Sequence, residues 1–385
     1  MTSILRNILS LDDFERAARR HLPRPIFEYV AGAVEDRASL HDNRAVFDEF
    51  GFLPRVLIGL SNRSTEASLF GVPYSAPFGI APMGITALTA YRGDLVLARA
   101  AAKANIPMVM SGTSLIRLEE VIKENPHAWF QAYLPGEATR IAALVDRVAA
   151  AGYQTLMVTV DVAVLSNREN TLRAGFSLPL RPSVRLAWDG ISHPRWLLGT
   201  ALRTLVRHGM PYFENSYVER GAPLLSRNAE RDFSKRDHLN WEHLEAIRRQ
   251  WKGKLIVKGI MSPEDARIAR DKGMDGIVVS NHGGRQLDGT VSPLRVLPAV
   301  AAVAGNMTVM MDSGIRRGTD VLKALALGAK FVFVGRPFNY AAAVAGEAGV
   351  LHAAEILRGE VYRNMALVGV NTFTELGPGH LLRRI

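Results

Sequence analysis

The chain has no cysteine in its 385 residues, which removes disulfides, thiolate metal sites and a cysteine nucleophile together. No metal site is expected. Long apolar runs are missing too: the richest windows, 296–311 and 341–354, are broken by Asn306 and Glu347, so neither reads as a membrane-spanning helix. The first twenty residues lack the apolar stretch and small-residue cleavage site of a secretory leader, so cytoplasmic residence is expected. Repeats and low-complexity tracts are absent. Acidic residues are outnumbered, 37 against 47 Lys and Arg, which leaves a formal net charge of +10 and a pI near 10.0. Such an excess favours anionic partners: nucleic acid, an anionic lipid surface or an acidic substrate.

What is present reads as a globular enzyme, with 48% hydrophobic and 22% charged residues. From Phe78 onward, short apolar runs alternate with amphipathic stretches and end in polar or glycine-rich tips, the βα rhythm. Eight runs qualify as strands: 78–82, 108–112, 129–134, 155–161, 255–259, 276–281, 308–314 and 331–335. Helical patterns lie between them at 94–104, 139–151, 263–271 and 318–327, with Gly152, Gly273 and Gly328 as stops. Eight strands with intervening helices close a TIM-type (β/α)₈ barrel, an α/β fold that reaches this length as one domain. The interval between Asp161 and Leu255 is far longer than a crossover needs, so a long insertion after strand four is expected.

In such a barrel the C-terminal strand tips build the active site. Here they carry Gln131 and Tyr133, Thr159 and Asp161, Lys258, Ser280 with Asn281 and His282, and Asp312. Any one of these could merely cap a strand or helix, but all of them together point to chemistry. The loop Ser280-Asn281-His282-Gly283-Gly284-Arg285-Gln286 sets an imidazole, able to exchange a proton near neutral pH, beside a guanidinium that offers a carboxylate a bidentate fork. Arg168, soon after Asp161, could be a second fork or a solvated loop arginine. Asp312-Ser313-Gly314-Ile315-Arg316-Arg317-Gly318 and Gly335-Arg336 follow strands seven and eight, where barrels bind phosphate on backbone N–H groups. Lys258 at the mouth suits either a fixed cation near a reduced flavin or a Schiff base.

These segments, with Val257-Lys258-Gly259 and Lys323-Ala324-Leu325-Ala326-Leu327-Gly328-Ala329, resemble the FMN-dependent 2-hydroxy-acid oxidase and dehydrogenase family nearly end to end. The resemblance implies FMN as cofactor and oxidation of an L-2-hydroxy acid to the 2-keto acid. It makes His282 the base, steadied by Asp161, and Arg168 and Arg285 the carboxylate clamp. Tyr29 and Tyr133 become hydrogen-bonding partners of substrate. Lys258 would face the flavin ring edge, Pro82, Met83, Gly84, Ser111, Gln131, Thr159 and Ser280 would line the flavin, and Asp312, Gly314, Arg316, Gly335 and Arg336 would hold ribityl and phosphate. It also implies a single domain over 1–385, with an N-terminal helical cap (1–77) folded over the barrel (78–345), C-terminal helices (346–385), and assembly as a homo-tetramer. Within the family, Gly84 resembles the membrane-linked dehydrogenases, where oxidases tend to have alanine. Thr113 stands where glycolate oxidases carry tryptophan, which leaves room for a larger substrate. Trp188-Asp189-Gly190 and His193-Pro194-Arg195-Trp196 are similar to the (S)-mandelate dehydrogenase insert first and to the L-lactate dehydrogenases second.

Between residues 172 and 210, Arg173, Arg181, Arg185, Arg195, Arg203 and Arg207 face one acid, Asp189, among Trp188, Trp196 and several leucines. A basic amphipathic stretch of this kind lies in a lipid headgroup layer, tryptophans at the interface and arginines on anionic lipid; packing on its own barrel or a neighbouring subunit is the plainer use. Nucleic acid is not expected, since no reading helix or stacking platform accompanies the charge. The combined expectation is a mandelate-like L-2-hydroxy-acid dehydrogenase bound peripherally to the inner membrane face, passing electrons to quinone. Rivals are an L-lactate dehydrogenase, an O2-using oxidase, an FMN-dependent barrel isomerase and a non-catalytic flavin- or lipid-binding protein.

Overall fold

A computed structural model describes residues 3–177, 183–226 and 236–384; Arg181 and the side chain of Arg185 lie outside the described residues. Eight strands form one parallel sheet: β1 (Phe78–Ile80), β2 (Val109–Ser111), β3 (Trp129–Ala132), β4 (Thr155–Thr159), β5 (Lys254–Ile260), β6 (Gly276–Val279), β7 (Thr308–Met311) and β8 (Phe331–Val334). Each hydrogen-bonds to the next, β8 pairs back with β1, and a bridge between Ile80 and Met108 joins β1 to β2 and closes the barrel. Being covered on both faces, most strands are apolar along their length rather than alternating, as β6 and β8 show. All eight strands stand where the apolar runs placed them. Most end earlier, as β4 does at Thr159 rather than 161, because the last residues leave the sheet to form the mouth.

The two ends of the barrel differ. Its interior is filled by Val109, Trp129, Met157, Ile256, Val278, Met310, Phe331 and Phe333, and a hairpin (Ala67–Leu69 with Val72–Tyr74) packs Leu69, Phe70 and Tyr74 into the N-terminal end. The hydrophobic filling closes the barrel axis from below, so the polar strand tips meet at the C-terminal mouth. Over that mouth sit the N-terminal helices. Leu11–His21 buries Phe14 and Ala18 against the long helix Arg336–Val368, which bends at Ala345 and Gly346. Phe27 of helix Arg24–Ala31 stacks on Tyr340 at 5.7 Å. The chain does not end in helices alone: Leu381–Arg383 pairs antiparallel with Phe50–Phe52.

The excursion after β4 holds a short helix (Glu169–Arg173) and then Val184–Ile191, Pro194–Trp196, a wide turn at Leu197–Leu202, and Arg203–His208. It is seated on the barrel. Trp196 Nε1 donates to the Leu88 carbonyl at 2.7 Å, His208 Nε2 lies 2.8 Å from the Tyr91 hydroxyl, and Arg203 stacks over the Tyr91 ring. Trp196 is therefore a packing residue, and only Trp188 of the two tryptophans is exposed.

Barrel closure depends on Gly79. Ile80 N donates to the Pro107 carbonyl at 2.8 Å, and a Cβ at Gly79 would stand 2.5 Å from that oxygen and 2.7 Å from Pro107 Cγ. Gly79→Ala is expected to destabilise the protein by roughly 2 kcal/mol or more through overpacking at the seam. A melting temperature equal to that of the parent would show that the seam can yield.

Candidate active site

A cavity of about 530 Å³ opens at the C-terminal mouth, lined by loops from the barrel strands together with Tyr29 of the cap. His282 follows β6 in a left-handed conformation, φ 57°, and its Nδ1 donates to Asp161 Oδ1 at 2.9 Å. Nε2 then faces the Tyr133 hydroxyl, 3.4 Å away. Burial pulls the imidazole pKa below its ordinary 6.5 despite the neighbouring carboxylate. Burial pushes Asp161 up, but His282 and Lys258 outweigh it and hold the carboxyl below its ordinary value. The pair is thus a neutral imidazole oriented by a carboxylate, with a basic nitrogen turned toward Tyr133.

Four guanidiniums line the same cavity, those of Arg168, Arg285, Arg316 and Arg336, and two of them bear directly on the cap. Burial, then the charges of Arg168 and Arg336, brings Arg285 down to about 9, and burial brings Arg336 down to about 10. Cations so crowded call for anions. In the protein alone they rest on the cap: Arg285 donates to the carbonyls of Val30 and Gly32 at 3.2 and 2.8 Å, and Arg336 to the same two at 3.0 and 2.9 Å. Those carbonyls lie at the C-terminal end of helix Arg24–Ala31, the negative end of its dipole. Gln286, quoted in the sequence only as part of a motif, accepts from Arg168 at 2.7 Å and donates to the Asp161 carbonyl. Arg285 also lies over the Tyr29 ring, which contacts Phe176 at 4.7 Å.

The expected flavin residues divide into two sets. Pro82, Met83, Gly84, Thr159, Lys258, Asp312, Gly314, Arg316, Gly335 and Arg336 line the cavity. Ser111, Gln131 and Ser280 lie buried behind its wall, where Ser111 donates to Gln131 Oε1 and Ser280 accepts from Lys258 Nζ at 2.7 Å. Among the described residues, Gln131 Nε2 and Thr159 Oγ1 are buried without a partner, two unmet polar groups that suit the polar edge of a planar heterocycle. Lys258 is desolvated, yet Asp312, whose Oδ2 is 3.1 Å away, and Asp161 keep its pKa above the ordinary 10.5. A lysine held charged is a poor Schiff-base nucleophile, which leaves the fixed-cation role.

Packing commits part of the mouth within the protein. The N–H groups of Arg316 and Arg317 are taken by Asp320 Oδ2 at 2.9 and 3.0 Å, and Gly318 N by Glu360 at 2.7 Å. Of the loop after β7, Gly314 and the Arg316 side chain then remain on the cavity wall for a phosphate, beside the start of helix Arg336–Val368 at Gly335. At Gly84 the Cβ direction is filled by Thr113 Oγ1, 2.2 Å from where a methyl would sit. Phe176, Leu172, Leu165 and Val162 also line the cavity and were not singled out in the sequence. An apolar side chain in a loop gives no signal that a ligand, rather than the core, will cover it.

Comparison with known proteins agrees with this geometry. A model of the FMN-dependent dehydrogenase family matches residues 18–383. The chain is similar to the (S)-mandelate dehydrogenase of Pseudomonas putida, 38% identical over 382 residues that cover 97% of this chain and 94% of that one. It is 40% identical to a putative L-lactate dehydrogenase of Mycobacterium tuberculosis over 388 residues, 98% of this chain and 90% of the relative. A crystal structure of the monotopic membrane protein (S)-mandelate dehydrogenase superposes with a TM-score of 0.90 at 37% identity, covering 98% of this chain and all of that one.

With FMN as cofactor, removing it should lower the melting temperature. Restoring FMN at about a thousand times its Kd should return on the order of 4 kcal/mol. Arg316→Ala should weaken that response by loss of a charged contact. A titration in which parent and variant bind FMN equally would place the phosphate elsewhere.

Proposed function

The chain belongs to the FMN-dependent dehydrogenase family and is a 2-hydroxy-acid dehydrogenase of the mandelate or lactate type, and on that premise we propose an aryl, mandelate-like L-2-hydroxy acid as substrate and a membrane quinone as electron acceptor. The observation that carries the reading is the meeting, in one cavity, of a neutral carboxylate-oriented imidazole with the guanidiniums of Arg168 and Arg285. A hydroxy acid needs both: a clamp for its carboxylate and a base beside its carbinol carbon. Phe176 and Leu172 give the cavity an aromatic and aliphatic side, which supports the phenyl-bearing acid over lactate.

In this reading Arg168 and Arg285 exchange their present carbonyl and amide partners in part for the substrate carboxylate. Tyr29 and Tyr133 supply hydroxyls around it. His282 Nε2 takes a proton from the bound acid, and Asp161 stabilises the imidazolium as it forms. Lys258 holds fixed positive charge against the cofactor, with Asp312 and Ser280 keeping it in place. FMN, when bound, accepts the two electrons.

The membrane part rests on the excursion. Trp188, Ile191, Leu198 and Val206 are exposed, Trp188 at 70% and Val206 at 84%, and Arg195, Arg203 and Arg207 are exposed among them. Apolar burial and attraction of about 1 kcal/mol per basic residue to anionic lipid would hold this surface to the inner membrane face. Among the described residues no helix is long and apolar enough to cross a membrane. The binding surface is narrower than 172–210, because Leu172 and Phe176 belong to the cavity and Trp196 to the barrel seat.

Anaerobic stopped-flow bleaching of the flavin tests the chemistry. Mandelate should bleach it faster than lactate, and both faster than glycolate; a preference for glycolate would reject the substrate reading. His282→Ala should keep FMN and lose bleaching by about 10²–10⁴-fold, and near-parental bleaching would remove it as base. Because a base must be neutral, the rate should fall as pH drops through the His282 pKa, below 6.5. Asp161→Asn removes a charge that raises that pKa, so the acid limb should move to lower pH while the maximal rate falls.

Cosedimentation with anionic vesicles tests the surface. The parent should pellet at low salt and release at high salt, and a variant with Trp188→Ser and Val206→Ser should stay in solution. A parent that remains in the supernatant at low salt would leave the segment a packing role only.

A further inference from the structure

The loop that carries His282 is held against its own preference. His282, Gly283 and Gly284 all lie in the left-handed region, at φ of 57°, 67° and 72°. Two glycines tolerate this at little cost, but an imidazole-bearing residue remains there only where its surroundings over-determine it. Two side chains close the turn from within: Ser280 Oγ accepts from His282 N at 3.1 Å, and Asn281 Oδ1 accepts from Gly284 N at 3.2 Å. Asn281 is the far end of the brace, and its own orientation needs an explanation.

Asn281 Nδ2 donates weakly to the Val291 carbonyl at 3.3 Å, and residue 43 supplies the shorter, two-way contact. Asn43 Nδ2 donates to Asn281 Oδ1 at 2.9 Å, and Asn281 Nδ2 donates back to Asn43 Oδ1 at 2.8 Å. Both side chains are buried. A reciprocal amide pair fixes both carboxamides against flipping, because either flip would set donor against donor and acceptor against acceptor in a buried site. Helix Ala38–Ala45, which carries Asn43, is moulded to the mouth as a whole. A Cβ at Gly284 would stand 2.7 Å from Leu40 N, and one at Gly314 would stand 2.0 Å from the Asn43 carbonyl.

We propose that Asn43 is a positioning residue for the reaction: its two-way amide pair with Asn281 holds the left-handed His282–Gly284 turn that presents Nε2 of His282 to substrate. Asn43 does not line the cavity and acts through Asn281 alone. Arg285 is tied separately to Val30 and Gly32, so the carboxylate clamp survives when the pair is broken. Loss of Asn43 should then fall on the chemical step and spare substrate binding. The inference rests on the reading of His282 as the base.

The test uses the FMN-loaded protein and anaerobic flavin bleaching by mandelate. Asn43→Ala should keep FMN and lower the limiting bleaching rate roughly 10- to 100-fold, the effect of misplacing a reacting group by about an ångström. Its half-saturating mandelate concentration should stay near that of the parent. Ser39→Ala is the control: Ser39 is buried on the same helix and bonds the Leu287 and Thr290 carbonyls of the same loop. It should lower the melting temperature and leave the limiting rate unchanged. If Asn43→Ala does not fold, Asn43→Asp keeps the shape, removes the donation to Asn281 Oδ1 and should also slow bleaching. A parental limiting rate in either Asn43 variant overturns the proposal, as does a loss in Ser39→Ala that matches the loss in Asn43→Ala. His282→Ala, measured alongside, separates the two readings. If it is slow while the Asn43 variants are parental, only the positioning role fails; if it is parental, the base assignment fails and the positioning role with it.

Discussion

Crowded positive charge is the constraint on which the mouth of this barrel is built. Arg168, Arg285 and Arg336 approach closely enough that each of the last two is held below its ordinary pKa, by burial first and by its neighbouring arginines after that. Without acceptors such a cluster would repel itself apart. The cap supplies them at the C-terminal end of helix Arg24–Ala31, where the Val30 and Gly32 carbonyls each take a bond from both Arg285 and Arg336. The arrangement both fastens the cap to the barrel and leaves the cations unsatisfied enough to bind anions, since a shared carbonyl is a weaker partner than a carboxylate or phosphate.

Beneath that layer, charges alternate. Asp161 lies between His282 and Lys258 in its electrostatic influence, and Asp312 meets Lys258 from the other side. Asp312 and Asp161 together keep the lysine protonated, while burial keeps the nearby histidine neutral although Asp161 pulls it the other way. A proton accepted by His282 would then form an ion pair with Asp161 instead of an isolated buried charge.

Much of this was legible in the sequence, and the gaps have identifiable causes. Strands buried on both faces write themselves as short apolar runs, so all eight could be placed, with errors confined to where the chain leaves the sheet. His282, Asp161, Lys258 and the arginines announced themselves as polar residues at strand tips. Three things were hidden because they depend on which side chains the fold brings into contact. The N–H groups after β7 looked available for phosphate, but Asp320 and Glu360 reach back to occupy them. The meeting of Gly84 with Thr113, which fills its Cβ direction, has no signature in either residue alone. Asn43 sits in a helix of unremarkable composition, and its value comes from meeting Asn281, 238 residues later.

The excursion after β4 shows why composition can identify a segment and still mislead about its limits. Its arginines and apolar residues form one pattern from 172 to 210, yet the structure divides them among three duties. Phe176 packs on Tyr29 in the cavity, Trp196 and His208 seat the segment on the turn after β1, and Trp188, Ile191 and Val206 face outward. The seat matters to the other two. An exposed apolar surface can enter a lipid layer without dragging the cavity wall with it only if something between them is fixed to the barrel. Leu88 and Tyr91 provide that fixed point a few residues beyond Met83 and Gly84, which line the cavity. The surface that would meet lipid and the wall that would meet the cofactor are thereby anchored to one short loop, which keeps the mouth of the barrel at a defined place relative to any membrane on which the protein rests.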